Sequence, residues 1–180
     1  MVVKNNDFVE LEFTGKSNGE VFDTTDKEKA KSLGSDSEVS PLIVCVGAEM
    51  VVKGFDSALV GKEVGKSYSI HLSPGEAFGK RDPKLIKTMQ IRLFHEKNIN
   101  PQPGMVFQMD AYLVKVLSVS GGRVTADFNN PLAGKDVDYD FLILRKVTDL
   151  KEKVDALQDY YFKKRFDFFV EEKDKKVVFS

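Results

Sequence analysis

The sequence predicts an α+β protein that is rich in antiparallel β-structure. Short runs of alternating apolar and polar residues recur from the N-terminus to residue 147, as in strands with one buried face. Helical spacing of apolar residues is confined to short segments, of which the longest follows residue 149. With 180 residues, 42% of them hydrophobic, the chain can bury one large core or two small ones.

Four strands are predicted before residue 74. Residues 7–15 alternate, with Val9, Leu11 and Phe13 on one face, and end in a turn at Gly15. The other three predicted strands are residues 20–23, 42–46 and 67–73.

Two helical segments interrupt these strands. The polar segment 25–41 is predicted to be a loop, with one helical turn at residues 28–33 and turn-forming residues at 34–37. Residues 55–60 are predicted to form a short helix that Gly61 caps at its C-terminus.

The character of the chain changes after Gly79. Residues 80–104 are basic and contain prolines, and three short strand-like runs follow. These runs are residues 105–109, 111–119 and 123–128. Gly121 and Gly122 suit the positive φ angles of a tight turn, so residues 111–128 are predicted to form a β-hairpin in a small β-rich unit.

The chain then returns to the first sheet and ends in an extension. Residues 129–147 are predicted to form a long strand. Its apolar face carries Val137, Tyr139, Phe141 and Ile143. An amphipathic helix is predicted next, because four apolar residues follow at helical spacing. They are Leu150, Val154, Leu157 and Tyr161. Residues 165–180 are predicted to form a hairpin.

Composition and charge argue against several classes of function. The 27 basic and 28 acidic residues leave a net charge of -1, so no overall field attracts nucleic acid or an anionic membrane. The N-terminal residues contain no apolar stretch of signal-peptide length, and no run of about 18 apolar residues occurs. Together with the single cysteine, Cys45, these features predict a cytoplasmic protein that binds neither nucleic acid nor membrane.

Metal, nucleophile and phosphate sites also find no support. His71 and His95 lack further ligands at metal-binding spacing, so no metal site is predicted. The apolar neighbours of Cys45 favour a small buried side chain over a thiolate nucleophile. No glycine-rich phosphate-binding motif is present, and no cofactor is predicted.

The residues that point to a function are apolar and lie beside turns. Such side chains suit a pocket for the pyrrolidine ring of proline, which has no donor and gains from burial. The predicted wall comprises Phe13, Phe22, Leu42, Val51, Val52, Phe55, Phe78 and Tyr139. The alternative interpretation is that these side chains are ordinary core, and that Asp23, at a strand end, caps a turn.

At these residues the sequence resembles the FKBP-type peptidyl-prolyl cis-trans isomerases, in particular the SlyD-like branch with a domain inserted in the flap. The segments that carry the resemblance are LEFTG, VFDTT, SPLIVCVG, MVVKGF, AFG and VDYDF, in this order. The resemblance implies a curved antiparallel sheet wrapped on a short helix. It also implies that Asp23 and the eight wall residues form the catalytic site, with Asp23 and the Val52 amide orienting the peptide.

The resemblance also implies a division of the chain. Residues 1–83 and 129–147 correspond to a discontinuous isomerase domain, residues 84–128 to the inserted domain, and residues 148–180 to a C-terminal extension like that of long archaeal members. A monomer is expected, with dimerisation through the extension as the alternative.

Three wall positions depart from the commonest eukaryotic pattern of this family. Phe13 and Phe78 stand where tyrosine is usual, and Phe55 stands where tryptophan is usual. The hydroxyl missing at Phe78 shifts its expected ligand contact to a backbone amide or to Asp23, so macrolide binding is left open.

In the resembling family the inserted domain binds unfolded chains. Its apolar residues here exceed what a unit of about 45 residues readily buries, which predicts an exposed, adaptable binding groove. The predicted substrate-binding residues are Ile91, Leu93, Phe94, Met105, Phe107, Met109, Tyr112 and Leu113. The alternative is that they complete a small core.

The resemblance thus implies a peptidyl-prolyl cis-trans isomerase that acts on proline-containing, unfolded or partly folded polypeptides during protein folding, with chaperone binding by the insert. Two alternatives remain open. One is a holdase-type chaperone with a weak or vestigial pocket, and the other is an interaction module that uses the C-terminal helix and hairpin.

Overall fold

The computed structural model describes residues 1–34, 39–109, 112–171 and 176–179. The chain divides into two compact units, of which the first comprises Met1–Leu72 and Val137–Ser180 and the second Ser73–Asp136. The antiparallel sheets and short helices confirm the predicted α+β class. The turn-forming residues expected at 35–37 and the first hairpin residue, 111, lie outside the described residues.

Both units contain antiparallel strands. In chain order they are β1 (Phe8–Ser17), β2 (Glu20–Thr24), β3 (Leu42–Cys45), β4 (Ser67–Leu72), β5 (Ile86–Gln90), β6 (Val106–Met109), β7 (Tyr112–Ser120), β8 (Arg123–Asp127), β9 (Val137–Val147), β10 (Phe168–Glu171) and β11 (Lys176–Phe179). The helices are α1 (Lys27–Ser32), α2 (Lys53–Leu59), α3 (Arg92–His95) and α4 (Leu150–Tyr161), and Pro83–Leu85 form a 3-10 turn.

The first unit is built on a five-stranded antiparallel sheet. Its order is β2-β1-β9-β4, and β3 pairs with the first half of β1 while β2 pairs with the second half. Alternation in β1 is confirmed, since Val9, Leu11 and Phe13 are buried. The same face of β9 is buried at all four predicted positions, so the two long strands present one continuous apolar surface.

The first hairpin turns later than predicted. Strand β1 runs through Gly15 to Ser17, and the reversal occurs at Asn18 and Gly19, whose φ angles are 52° and 82°. An Asn-Gly pair adopts two positive φ angles at low cost, which is the requirement of a two-residue hairpin turn. Gly15 is therefore a strand residue and serves another purpose.

The helix that follows β3 begins before the predicted position. Helix α2 spans Lys53–Leu59, and Gly61 follows its end with a φ angle of 81°, as expected for a C-terminal glycine. The side chain of Asp56 is buried and accepts hydrogen bonds from the backbone N–H groups of Gly47 and Glu49, each at 2.9 Å. The turn before α2 is thus tied to the helix itself.

The second unit contains a four-stranded antiparallel sheet with the order β5-β8-β7-β6. Its core consists of five buried residues: Phe94, Val114, Val116, Val124 and Ala126. The hairpin of β7 and β8 is confirmed, with positive φ angles at Gly121 and Gly122. Strand β5 and helix α3 were not predicted, because their apolar residues are interrupted by basic ones and β5 depends on pairing with β8.

The return strand is shorter than predicted. Strand β9 begins at Val137 rather than at residue 129, because residues 131–134 form a turn in which Gly134 has a φ angle of 78°.

The extension contains the predicted helix and hairpin, in α4 and in β10 with β11. Its buried face differs from the predicted one. Val154 and Gln158 are buried, whereas Leu150 and Tyr161 remain 47% and 61% exposed. The Gln158 side-chain amide accepts from Phe166 N–H at 2.6 Å and donates to Phe166 C=O at 3.3 Å, which satisfies it inside the protein. Apolar spacing alone does not identify such a residue.

Within the described residues, no helix combines the length and the apolar character needed to cross a lipid bilayer.

Candidate active site

Three aromatic side chains from different elements of the first unit meet around Tyr139. Its ring stacks on Phe55, with the centroids 4.6 Å apart and the planes 25° apart. Phe22 meets the Tyr139 ring edge-on at 5.8 Å, and Phe13 lies 6.0 Å from it. Phe13 also meets Phe55 edge-on at 5.9 Å. The fold thus joins four of the predicted wall residues into one aromatic cluster.

The backbone around Phe13 is held in place by two threonines. Phe13 N–H donates to the Thr25 hydroxyl at 2.8 Å, and Thr25 N–H donates to Phe13 C=O at 3.0 Å. The Thr24 hydroxyl also donates to Phe13 C=O, at 3.1 Å. Because Phe22 and Asp23 directly precede this pair, these bonds set the position of β2 against β1.

Gly15 makes room for the cluster. It pairs with Tyr139 across β1 and β9, and a Cβ atom at residue 15 would lie 2.9 Å from the Cε1 atom of Tyr139. Its φ angle is outside the left-handed region, so the need for glycine is one of space. The sequence alone offered only an isolated glycine within an alternating strand.

Two further aromatic rings, which sequence reasoning did not assign to the site, extend the cluster. Phe141 lies 5.0 Å from Phe55, and Tyr68 of β4 lies 5.5 Å from Phe141, by ring centroids. Tyr68 is fixed by its hydroxyl, which accepts from Glu63 N–H at 2.9 Å. The alternation of β9 was a usable signal, since it already placed Phe141 on the face of Tyr139.

Val51 and Val52 connect the preceding turn to helix α2, which carries Phe55. Both are half-buried, and Val52 is the N-terminal cap residue of α2, with a φ angle of -57°. Among the described residues, no backbone carbonyl accepts a hydrogen bond from Val52 N–H. Phe55, one turn into the same helix, is buried, so α2 carries both the predicted backbone donor and one ring of the aromatic stack.

The carboxylate of Asp23 acts electrostatically on Tyr139. Desolvation by the surrounding protein raises the pKa of the Asp23 carboxyl, although the hydrogen bond from Thr24 N–H opposes this shift and the residue keeps solvent-exposed surface. Burial, as the larger cause, and the negative charge of Asp23 together raise the pKa of Tyr139 to about 12. The Tyr139 hydroxyl is therefore neutral at physiological pH, beside a carboxylate in an otherwise apolar setting.

The predicted binding residues of the second unit fall into two groups. Phe94 is fully buried, so its side chain is inaccessible to a polypeptide, and Ile91, Phe107 and Met109 pack partly buried against the same core. The exposed group comprises Leu93, Met105, Tyr112 and Leu113, which are 42%, 37%, 55% and 48% exposed. Sequence reasoning did not separate the two groups, because it lacked the register of β6 and β7 and the orientation of helix α3.

The outer face of this sheet also carries a groove lined by both apolar and polar side chains. Val106, Leu113 and Leu117 line a cavity of about 350 Å³ together with Pro131 and Ala133. Val106 and Leu117 are 51% and 37% exposed and were not among the predicted residues. Arg81 and Asp127, which form an ion pair, lie in the same wall.

Comparison with known proteins identifies the family. Residues 1–109 match the model of the FKBP-type peptidyl-prolyl cis-trans isomerases, which is more than half of the chain. The chain belongs to this family. Residues 87–132 also match the model described as FKBP26, IF domain, and this match confirms the SlyD-like type with an inserted domain.

Curated relatives agree with this assignment. The chain is 30% identical over 141 residues to the short-type peptidyl-prolyl cis-trans isomerase of Methanocaldococcus jannaschii. The aligned region covers 77% of this chain and 90% of the relative. It is 32% identical over 134 residues to SlyD of Aeromonas hydrophila, covering 73% of this chain and 58% of the relative. The 16 kDa FKBP-type isomerase of Escherichia coli K12 is 29% identical over 147 residues, covering 79% and 92%.

The two remaining predicted wall residues are Leu42 and Phe78. Leu42, on β3, is 37% exposed and lines a different cavity, which also includes residues of α4. Phe78 belongs to the second unit, where it is half-buried in a turn closed by a 2.7 Å hydrogen bond from Gly79 N–H to Pro74 C=O. The role of Phe78 in the isomerase pocket stays a prediction.

Cys45 has the character of a structural side chain. Burial raises the pKa of its thiol, and the charges of Asp56 and Asp7 raise it further, so the thiol is protonated at neutral pH. A nucleophilic role in this FKBP-type protein is therefore unsupported.

Proposed function

We propose that this protein accelerates the cis-trans isomerisation of X-Pro bonds in unfolded or partly folded polypeptides, and that its inserted domain binds those chains. The observation that carries the first part is the cluster of Phe13, Phe22, Phe55 and Tyr139. Membership of the isomerase family supports it.

The chemistry requires no covalent step. Rotation about an X-Pro bond must overcome a barrier of about 18–20 kcal/mol, because amide resonance is lost in the twisted state. The twisted amide is less charge-separated than the planar amide, so a site of low polarity favours it over the ground state. A wall of aromatic rings provides such a site and also holds the apolar pyrrolidine ring.

Two polar groups beside the cluster are suited to orient the peptide. Val52 N–H is a backbone donor at the start of α2, and Asp23 is a carboxylate close enough to Tyr139 to affect its pKa. We propose that Val52 N–H donates a hydrogen bond to a carbonyl of the bound peptide. The Asp23 carboxylate supplies a negative charge near the amide that rotates. Both roles need only hydrogen bonding and charge, in agreement with a rotation mechanism.

The isomerase assignment is tested by truncating one ring. Phe22 is half-buried at the edge of the cluster, so Phe22→Ala removes a wall while most of the core remains. We expect kcat/KM for a short prolyl peptide, measured in a protease-free assay, to fall about tenfold or more, in line with the loss of an aromatic contact and its positioning effect.

The matched control is Phe168→Ala, which truncates a half-buried phenylalanine of the C-terminal hairpin. Equal activity of the two variants would contradict the assignment of the cluster. The same assay on Val52→Asp and Phe78→Ala tests two further predicted wall residues, for which we expect losses of similar size.

Chain binding by the insert is supported by its exposed apolar side chains. Val106 and Leu113 lie on paired strands and line the outer groove. We expect the double variant Val106→Ser, Leu113→Ser to suppress aggregation of an unfolded client less well than the wild type. The control is Val60→Ser, Leu150→Ser, at positions that are 44% and 47% exposed outside the insert. Equal suppression by both double variants would contradict this binding surface.

Deletion of the insert separates the proposed function from the holdase alternative. If the proposal is correct, a protein without residues 84–128 still isomerises a short peptide but catalyses proline-limited refolding much less well, because a client bound to the insert has a raised effective concentration near the site. If the wild-type protein suppresses aggregation but isomerises no peptide, the holdase alternative is correct.

A further inference from the structure

The turn before α2 contains an unusual backbone conformation. Residues Gly47–Met50 connect β3 to Val51 and Val52, and Glu49 within this turn has a φ angle of 53°. Residues other than glycine rarely adopt this region, and such a conformation persists only when the surrounding contacts hold it. The contacts of Glu49 therefore decide how the next residues of the site are placed.

Residues outside the C-terminal extension hold the N–H groups of this turn. The Asp56 carboxylate accepts from Gly47 N–H and from Glu49 N–H, and Cys45 N–H donates to the Met50 sulfur at 3.2 Å. These bonds fix the amide groups of the turn but leave the carbonyl of Glu49 to another partner.

That partner comes from the C-terminal extension. The hydroxyl of Tyr160, in the last turn of α4, donates to Glu49 C=O at 3.2 Å. The N–H group of Glu49 is thus held by α2 and its C=O group by α4. Since two residues separate Glu49 from Val52, this bond acts on the peptide groups that lead into the proposed site.

Helix α4 is anchored well enough to act as a support. The Arg145 guanidinium donates twice to Glu152, at 2.9 Å in each bond, and once to Glu10 of β1. Val154 and Gln158, on the buried face of α4, fix the helix by packing. The position of the Tyr160 hydroxyl is therefore set by the five-stranded sheet of the first unit, through strands β1 and β9.

We propose that Tyr160 is a positioning residue for the isomerase site: through the Glu49 carbonyl it holds Val51 and Val52 in the geometry that binds the prolyl peptide. This inference rests on the proposed function of the Val52 region. It assigns the extension a role in the site, whereas sequence reasoning left the extension with at most a role in interaction.

The test removes one oxygen atom. Tyr160→Phe keeps the ring and loses the hydroxyl, and Tyr161→Phe makes the same change at a 61% exposed neighbour. We expect Tyr160→Phe to raise KM for a short prolyl peptide about threefold to tenfold with kcat little changed, as for the loss of one hydrogen bond that supports ground and transition states alike. Tyr161→Phe is expected to match the wild type.

Amide hydrogen exchange supplies a readout that is independent of activity. We expect exchange at the Gly47 and Glu49 amides, which donate to Asp56, to speed up in Tyr160→Phe and not in Tyr161→Phe, while the denaturation midpoint of both stays close to that of the wild type. Unchanged KM and unchanged exchange in Tyr160→Phe would overturn the proposal. If exchange is faster in Tyr160→Phe but the wild-type protein isomerises no peptide, the contact between Tyr160 and the turn is supported and the proposed function is overturned instead.

Discussion

Gly15 leaves the space that the ring of Phe22 occupies, because a Cβ atom at residue 15 would lie 2.6 Å from the Cζ atom of Phe22. Real Cβ atoms essentially never make so short a contact. A glycine in the middle of β1 therefore sets how closely the aromatic rings of the candidate site approach the sheet.

Gly15→Ala is expected to displace the rings of Phe22 and Tyr139. Overpacking of this kind typically costs about 1–3 kcal/mol, and a shift near one ångström at a site lowers activity by roughly 10- to 100-fold. Denaturant unfolding and the peptide isomerisation assay measure the two effects. The control is Gly75→Ala, where an added Cβ meets nothing within 4 Å. A Gly15→Ala protein as active as this control would refute the space argument.

Acidification tests the role of Asp23. Desolvation raises the pKa of its carboxyl above the ordinary 3.8, so its proton is taken up at a higher pH than by an exposed aspartate. If the ionised form orients the peptide, kcat/KM falls on acidification with an apparent pKa above 3.8. We expect Asp23→Asn to show low activity without this acid limb. An acid limb that persists in Asp23→Asn would assign the titration to another group.

The fall in the free energy of unfolding at alkaline pH tests whether Tyr139 is buried. Burial raises its pKa from 10.0 to about 12, so the native state holds the phenolic proton more tightly than the unfolded chain does. The resulting stabilisation is complete below pH 10 and is lost as the pH rises from 10 towards 12.

The measurement is the free energy of unfolding of the wild type and of Tyr139→Phe between about pH 9 and pH 11. We expect the wild-type value to fall more steeply than that of the variant above about pH 10, because only the wild type has this proton to lose. Parallel curves for the two proteins would show that the Tyr139 hydroxyl is solvated in the native state.

Gln158→Leu tests how the extension is held together. The buried amide makes both hydrogen bonds to the backbone of Phe166, and leucine leaves that N–H and C=O without their partner. We expect a loss of about 1–3 kcal/mol in the free energy of unfolding. Gln102→Leu, at an exposed glutamine, is the control and should change stability by less than about 0.5 kcal/mol. Similar effects of both substitutions would mean that water replaces the Gln158 bonds at little cost.

Local pattern was sufficient to predict much of this fold. The alternation of β1, β4 and β9, the glycine turn between β7 and β8 and the C-terminal helix all follow from preferences that act over a few residues. The same patterns placed Phe13 and Tyr139 on buried faces, and the order of short motifs then indicated the isomerase family, which the family match confirms.

Other features escaped prediction because they depend on distant pairing. Strand β5 forms through its partner β8, and Gln158 is buried because Phe166 satisfies its amide. The apolar residues on the strands of the insert divide into core and exposed surface according to register, which is why the neighbouring residues Leu113 and Val114 of β7 have opposite environments.

The sequence by itself determined the strands, the turns and the aromatic residues available to a site, since these depend on side-chain chemistry and short-range periodicity. Only the tertiary structure decided that Gly15 lies opposite Tyr139, that Phe141 and Tyr68 extend the cluster, and that Tyr160 reaches Glu49. Each of these contacts joins residues far apart in the chain, and their closeness arises from the register of paired strands and the docking of a helix, which no local preference encodes.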